Sequence, residues 1–265
     1  SISKTIDTIE HLPGFGEFVQ DLLNKKDRLE NRTLTVALFG AFSAGKSSFA
    51  NALIGESILP SSPNPTTAVI NRIAPVTKDD QHGTIRIKLK DEDLLLEDLS
   101  SMTKDYSPPK TDFDSFIEKK LVENDELDNI FQSYLQAILN GYEQAKDNIG
   151  KTITVSMDDF AEYVTDETKA CYIELVTMYY DCPLTRLGIT LVDTPGSNSV
   201  NARHTNVAFD YIKYADAILY VTYYNHALSR ADKDFLMQLG RVKDTFQQDK
   251  MFFVINAADL ASHTG

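Results

Sequence analysis

Residues 35–50 read TVALFGAFSAGKSSFA. A short β-branched and apolar run stops at Gly40, and five positions later the text turns to Gly45-Lys46-Ser47-Ser48. The run 33–39 predicts a buried strand and 46–54 predicts the helix after it, with the loop Gly40-Ala41-Phe42-Ser43-Ala44-Gly45 between them. This spacing matches G-x-x-x-x-G-K-[ST], and its chemistry is specific. Glycines let the backbone curl so that several amide N–H groups point inward at an anion. The helix that follows adds its unpaired first-turn amides and the positive end of its dipole. Lys46 is placed to reach β- and γ-phosphates, and the Ser47 hydroxyl to ligate Mg²⁺. The implied ligand is a nucleoside triphosphate or its diphosphate product.

Working outward, strands and helices alternate. Strands are expected at 69–73, 84–89, 169–178, 188–192, 217–222 and 251–255, and helices at 203–213 and 229–242. Such alternation predicts an α/β fold, a P-loop NTPase architecture with a mostly parallel sheet covered by helices on both faces. Between 91 and 148 the text changes to an acidic, helix-patterned stretch, with thirteen carboxylates against four lysines over 91–128. This is the core of a helical insert expected at about 91–165, read as a solvated face. Ahead of the first strand, Ile2, Ile6, Ile9, Leu12, Phe15, Phe18, Val19, Leu22 and Leu23 form a helical stripe broken at Pro13-Gly14. Its acids outnumber Lys4 until Lys25 and Lys26, which favours a bundle helix that buries Ile6, Phe15 and Leu22 over a helix lying on a membrane surface.

The chain of 265 residues carries a net charge of −13, which argues against a nucleic-acid surface and against this segment lying flat on anionic lipid. No apolar run approaches the roughly 18 residues of a membrane span. Its two cysteines, Cys171 and Cys182, read as free thiols. Beginning at Ser1 and stopping at Gly265, it reads as a piece of a longer polypeptide, with a further base-contacting loop and strand expected beyond.

Three further stretches complete the candidate site. Asp193-Thr194-Pro195-Gly196 follows the strand 188–192, where a carboxylate at a strand's C-terminal end faces the ligand crevice. Asp193 can hold a Mg²⁺-bound water there, and Gly196 can offer its N–H to a γ-phosphate. In SSPNPTTAV, residues 61–69, a threonine could ligate Mg²⁺ and orient the attacking water, with Thr67 favoured over Thr66. After the last strand comes Asn256-Ala257-Ala258-Asp259. The Asp259 carboxylate can accept both donors of guanine's N1–H and N2–H₂ edge, which adenine lacks. Asn256 would tie this loop to the phosphate loop. The customary pattern has Lys where Ala257 stands, so purine stacking is weakened and ATP remains a competing ligand. Arg72, Arg203 and Arg230 read as surface or strand-end cations rather than catalytic fingers, and His204 as solvent-facing.

GAFSAGKSS, the TT before AV, DTPGSNS and NAAD together resemble the dynamin superfamily, above all the bacterial dynamin-like proteins, from about residue 33 to 259. Ser43-Ala44 before Gly45, the 147 positions between Lys46 and Asp193, and the helical segment ahead of the first strand set it apart from small regulatory GTPases. The resemblance implies a GTPase domain, 33–265, preceded by a helical element, 1–32, that belongs to a bundle joining the domain to a stalk. It implies Mg²⁺-dependent hydrolysis of GTP, accelerated when two domains form a homodimer across their nucleotide faces. The stroke would pass to membrane lipids through a stalk or tip lying outside this chain, in a cytoplasmic, peripherally membrane-associated protein. It further implies that Ser43 helps hold a monovalent cation, K⁺ or Na⁺, in place of an arginine finger. Phe42 stands where eukaryotic members often have glutamine. A slow GTP-dependent switch or scaffold is the alternative.

Overall fold

The computed structural model describes residues 2–31, 33–41, 43–60, 69–101, 113, 129–196, 214–226, 232–233, 236–237 and 250–260. Two helices open the chain, α1 (Ile2–Ile9) and α2 (Gly16–Asn31), parted at Pro13-Gly14, where Gly14 takes φ 87°. Then follow β1 (Leu34–Phe39), α3 (Lys46–Ile54), β2 (Ile70–Ala74), β3 (Thr84–Leu89), α4 (Glu92–Ser101) and α5 (Asn129–Ala145). The second half carries β4 (Thr152–Val155), α6 (Met157–Thr165), α7 (Glu167–Ala170), β5 (Ile173–Tyr179), α8 (Pro183–Arg186), β6 (Ile189–Asp193), β7 (Ala217–Tyr223) and β8 (Met251–Asn256).

The eight described strands form one sheet in the order β4-β3-β5-β2-β6-β1-β7-β8. Four of its seven pairings are parallel, so the α/β expectation of a mostly parallel sheet holds. β6, β1, β7 and β8 run together. β2 turns against β6, in the register Asn71↔Asp193, Arg72↔Val192, Ile73↔Leu191.

Side chains alternate between two cores because successive strand residues point to opposite faces. On one face Leu38, Ile73, Leu191 and Val221 pack with Ala50 and Ile54 of α3 and with Phe160 and Val164 of α6. On the other, Ala37, Phe39, Val192, Ile218 and Tyr220 form a second core against which Leu236 packs from a helical stretch. Each fully buried Leu or Ile contributes about 2 kcal/mol. A third core lies under α4 and α5, where Leu95, Leu99, Tyr134 and Ile138 meet Leu89 and Tyr172.

Three local readings need correction. The strand expected over 169–178 starts later, because Asp166 caps a helical turn first: its side chain accepts from the Thr168 backbone at 2.9 Å and α7 runs to Ala170 before β5 begins. Within the stretch read as helical, Thr152–Val155 is instead a strand, the sheet's edge beside β3, and its alternating β-branched residues fit that place. α8 was not anticipated, although Pro183 at its first turn is a start signal. The expected helix 203–213, with Arg203 and His204, lies outside the described residues, as do Arg230 and most of 229–242.

Both cysteines are free and buried. Of the N-terminal stripe, Ile6 is buried and Leu22 half-buried, whereas Phe15 and Phe18 are exposed at 43% and 52%. Among the described residues no helix is long and apolar enough to cross a membrane.

Candidate functional site

The loop between β1 and α3 is shaped by backbone that most side chains cannot follow. Gly40 sits at φ 146° with its Cα against β7; a Cβ there would lie 2.0 Å from the Val221 carbonyl oxygen. Gly45, at φ 85°, lies against Asn256, and a Cβ would come within 2.1 Å of its Nδ2. Even Ser43 is left-handed, at φ 62°, and is exposed. Gly45 is also the N-cap of α3 and brings no capping side chain, so the first-turn amides of this helix are left for an anion. Ala44 is buried, Ser48 is exposed, and Phe42 lies outside the described residues.

The two glycine contacts differ in their expected cost. Gly40→Ala drives a methyl into backbone, which cannot step aside, and is expected to cost about 3 kcal/mol. Urea unfolding of the variant would check this. Gly45→Ala meets only the end of the Asn256 side chain but must hold φ 85°, so a smaller stability loss of about 1–2 kcal/mol is expected, together with weaker nucleotide binding.

Lys46 opens α3 and is 7% exposed. Its Nζ donates to the carbonyls of Gly40 at 3.1 Å and Ala41 at 2.8 Å. Burial lowers its pKa, while Asp193 and Asp232 push the other way. Next to it Ser47 donates its hydroxyl to Asp193 Oδ2 at 2.6 Å. Asp193 ends β6 and is 4% exposed. Burial raises its pKa, opposed by the Lys46 charge and the Ser47 hydrogen bond.

Asp193 Oδ1 is buried with no hydrogen-bond partner. An acceptor taken out of water and left unpaired costs about 1–3 kcal/mol, and here it stands beside a serine hydroxyl and a carboxylate oxygen. That set of hard oxygen donors fits a hydrated divalent cation such as Mg²⁺, which is bound through one or two protein oxygens, waters and phosphates. Thr66 and Thr67, the other candidates for this ion, lie outside the described residues.

The loop after β6 is tied back to β1. The Thr194 hydroxyl donates to the Leu38 carbonyl at 2.6 Å, and its backbone N–H reaches the same oxygen at 3.3 Å. Thr194 was not singled out in the sequence, though its place between Asp193 and the buried Gly196 makes it the loop's anchor. Asp232 was also missed. It is 1% exposed, accepts from the Tyr220 hydroxyl at 2.6 Å, and its charge is felt at Lys46. One of two acids in a helix-patterned stretch, beside Lys233 and Asp234, carries no signal of that role.

At the end of β8, Asn256 Nδ2 donates to the Ala44 carbonyl at 3.0 Å, joining this loop to the phosphate loop. Ala257 is left-handed at φ 57°, an uncommon state for a residue with a Cβ. It turns the chain into a helical turn, Ala258–Leu260, on which Asp259 is exposed. Structure thus gathers Gly40, Ser43, Ala44, Gly45, Lys46, Ser47, Asp193 and Asn256 around one loop, with Gly196 and Asp259 on the loops that flank it.

The sequence profile of the Dynamin family matches residues 36–258. Dynamin-like protein A of Bacillus subtilis (strain 168) is 48% identical over 238 residues, covering 88% of this chain and 20% of that protein. The Bacterial dynamin-like protein of Nostoc punctiforme is 24% identical over 243 residues, 91% of this chain and 27% of its own length. A solved structure of an oligomerised bacterial dynamin pair, described as a mechanism for the long-range sensing and tethering of membranes, superposes over 99% of this chain and 32% of that one. Its TM-score of 0.62 at 18% identity speaks to the fold alone. The chain therefore spans between a fifth and a third of these proteins' lengths. With its profile matched across most of its length, and its glycine loop, Lys46 and Asp193 at the C-terminal ends of the neighbouring interior strands β1 and β6, this chain belongs to the dynamin family, as a GTPase domain of the bacterial dynamin-like kind.

Proposed function

We propose that this chain binds Mg²⁺–GTP, hydrolyses it to GDP and phosphate, and turns over faster when two copies meet across their nucleotide faces. The observation that carries the reading is the junction of Ser47 with Asp193 beside the buried Lys46, two motifs 146 positions apart brought to one point. Phosphoryl transfer asks a protein mainly for positioning and for charge opposite the developing oxyanions. Lys46, released from the Gly40 and Ala41 carbonyls, turns its ammonium to the β- and γ-phosphates. The amides of Ser43, Ala44, Gly45, Lys46, Ser47 and Ser48, with Phe42 in the same loop, cradle them. Mg²⁺, when bound, neutralises phosphate charge; Ser47 and Thr67 would ligate it, and Asp193 would hold one of its waters. Thr67 would also orient the attacking water and Gly196 would donate its N–H to the γ-phosphate. Asp259 would read guanine, with Asn256 holding its loop. Ser43 would help hold K⁺ or Na⁺.

In the longer protein, the N-terminal helices, 1–32, would join the domain, 33–265 with its insert at about 91–165, to a stalk. The exposed Leu12, Phe15 and Phe18 support that reading, since a bundle would cover them. Through the stalk, hydrolysis would act on a membrane from its cytoplasmic side.

Phosphate release per molecule, followed over a wide range of protein concentration with GTP and ATP in parallel, tests this. The expected result is a GTP-selective rate that climbs with concentration, and an Asp259→Asn variant that loses about 10–100-fold of its preference for GTP, since the amide keeps one acceptor and loses one hydrogen bond to a charged group. A slow rate that stays flat would replace the dimer-activated enzyme with the switch or scaffold. Equal rates with ATP would remove Asp259 from base reading.

A further inference from the structure

A second buried acceptor stands beside Asp193. Asn71, on β2, faces Asp193 directly across the antiparallel β2–β6 pairing. The two side chains share a face: Ile73 and Leu191, two residues along each strand, both belong to the core that holds α3. Directly paired residues on one face have Cβ atoms about 4.5–5.5 Å apart. The Asn71 amide nitrogen donates to the Val69 carbonyl at 3.2 Å. Because a carbonyl only accepts, that bond assigns the nitrogen and leaves the oxygen as the remaining acceptor. Asn71 Oδ1 is buried with no hydrogen-bond partner, as is Asp193 Oδ1.

Two neighbouring acceptors without a donor call for a group with two protons. A water polarised by a divalent cation is such a group, and it bonds to acceptors more strongly than bulk water does. We propose that Asn71 is a positioning residue of the Mg²⁺ site, its Oδ1 and Asp193 Oδ1 together accepting the protons of one metal-bound water. The inference rests on the Mg²⁺–nucleotide reading above. The pairing of β2 against β6 is what delivers it, since this brings the residue four positions after Thr67 to the metal's outer shell.

The test is the release of a fluorescent GDP as Mg²⁺ is titrated, in wild type, Asn71→Leu and Asn71→Asp, with metal-free release in EDTA as reference. Outer-shell partners are worth about 10–100-fold in metal affinity. Asn71→Leu keeps the volume and loses the acceptor, so its half-saturating Mg²⁺ is expected to rise at least tenfold while metal-free GDP release stays within about twofold. Asn71→Asp keeps an acceptor but gives up the donor to the Val69 carbonyl, so its half-saturating Mg²⁺ is expected to fall clearly below that of Asn71→Leu without having to reach the wild-type value. If Mg²⁺ fails to slow GDP release from wild type, the Mg²⁺–nucleotide reading falls and this inference with it. If wild type responds and Asn71→Leu matches it, only the inference is overturned. A Leu defect that appears equally in EDTA, or that Asp does not rescue, overturns it as well by assigning Asn71 a purely structural role.

Discussion

Lys46→Met is expected to lower GTP turnover by about three orders of magnitude, the loss typical of removing a fixed positive group from a charge-stabilised transition state. The expected loss is large because the ammonium is almost the whole positive charge that the described loop offers. Its Nζ already lies inside the loop, 2.8 Å from the Ala41 carbonyl and 3.1 Å from that of Gly40, so it needs little movement to meet phosphate. It is also desolvated, at 7% exposure, which strengthens its field. Methionine keeps the stem's volume, so the fold should survive with two carbonyls short of a donor, at about 1–3 kcal/mol. Lys46→Arg should fail too, because a planar fork does not fit where a compact ammonium meets two converging carbonyls. Phosphate release, paired with a fluorescent-nucleotide titration, separates lost binding from lost catalysis. Turnover within tenfold of wild type would take Lys46 out of the phosphate role.

The second large effect lies in stability. Lys90, just after β3, is buried with its Nζ 2.7 Å from Asp98 Oδ2, 2.9 Å from the Cys171 carbonyl and 3.2 Å from the Tyr134 hydroxyl. That hydroxyl donates in turn to Asp98 Oδ2 at 2.6 Å. Four segments meet at one ion pair: the end of β3, α4, α5 and the turn before β5. Lys90→Met removes the cation and leaves the Asp98 carboxylate, 5% exposed, without that opposite charge, so a loss of about 3–5 kcal/mol is expected. Lys90→Met with Asp98→Leu should recover most of it, because two apolar side chains do not carry the desolvation cost of an unpaired charge. Urea unfolding of both singles and the double yields the coupling energy. Additive losses would show that the pair is dispensable and that packing of Leu95, Leu99 and Ile138 alone holds the helices down.

Much of this was legible in the sequence because it depends on neighbours along the chain. The apolar run, the glycines and Lys46-Ser47 lie within sixteen residues, so strand, loop and α3 follow from local period and backbone freedom. Helix α3 begins and ends where that pattern predicts, at Lys46 and Ile54. The misreadings are local conflicts of the same kind. At 167–170 a capping aspartate outweighed an apolar pattern, and at 152–155 four alternating residues were too short a signal inside a helical stretch.

Tertiary structure alone decided the rest. Nothing near Asp193 in the chain announces Ser47, and nothing near Lys46 announces Asp232. Above all, the direction of β2 is not written in its own residues: INRIA would pair as well in parallel as in antiparallel. Only the order and hand of the assembled sheet set it against β6 and so placed Asn71 beside Asp193. The sequence by itself determined which segments become strands, loop and helix, since those follow from interactions a few residues apart. The identity of each buried charge's neighbour was left to the packed sheet, because burial makes every polar atom's cost depend on partners that only the whole fold brings near.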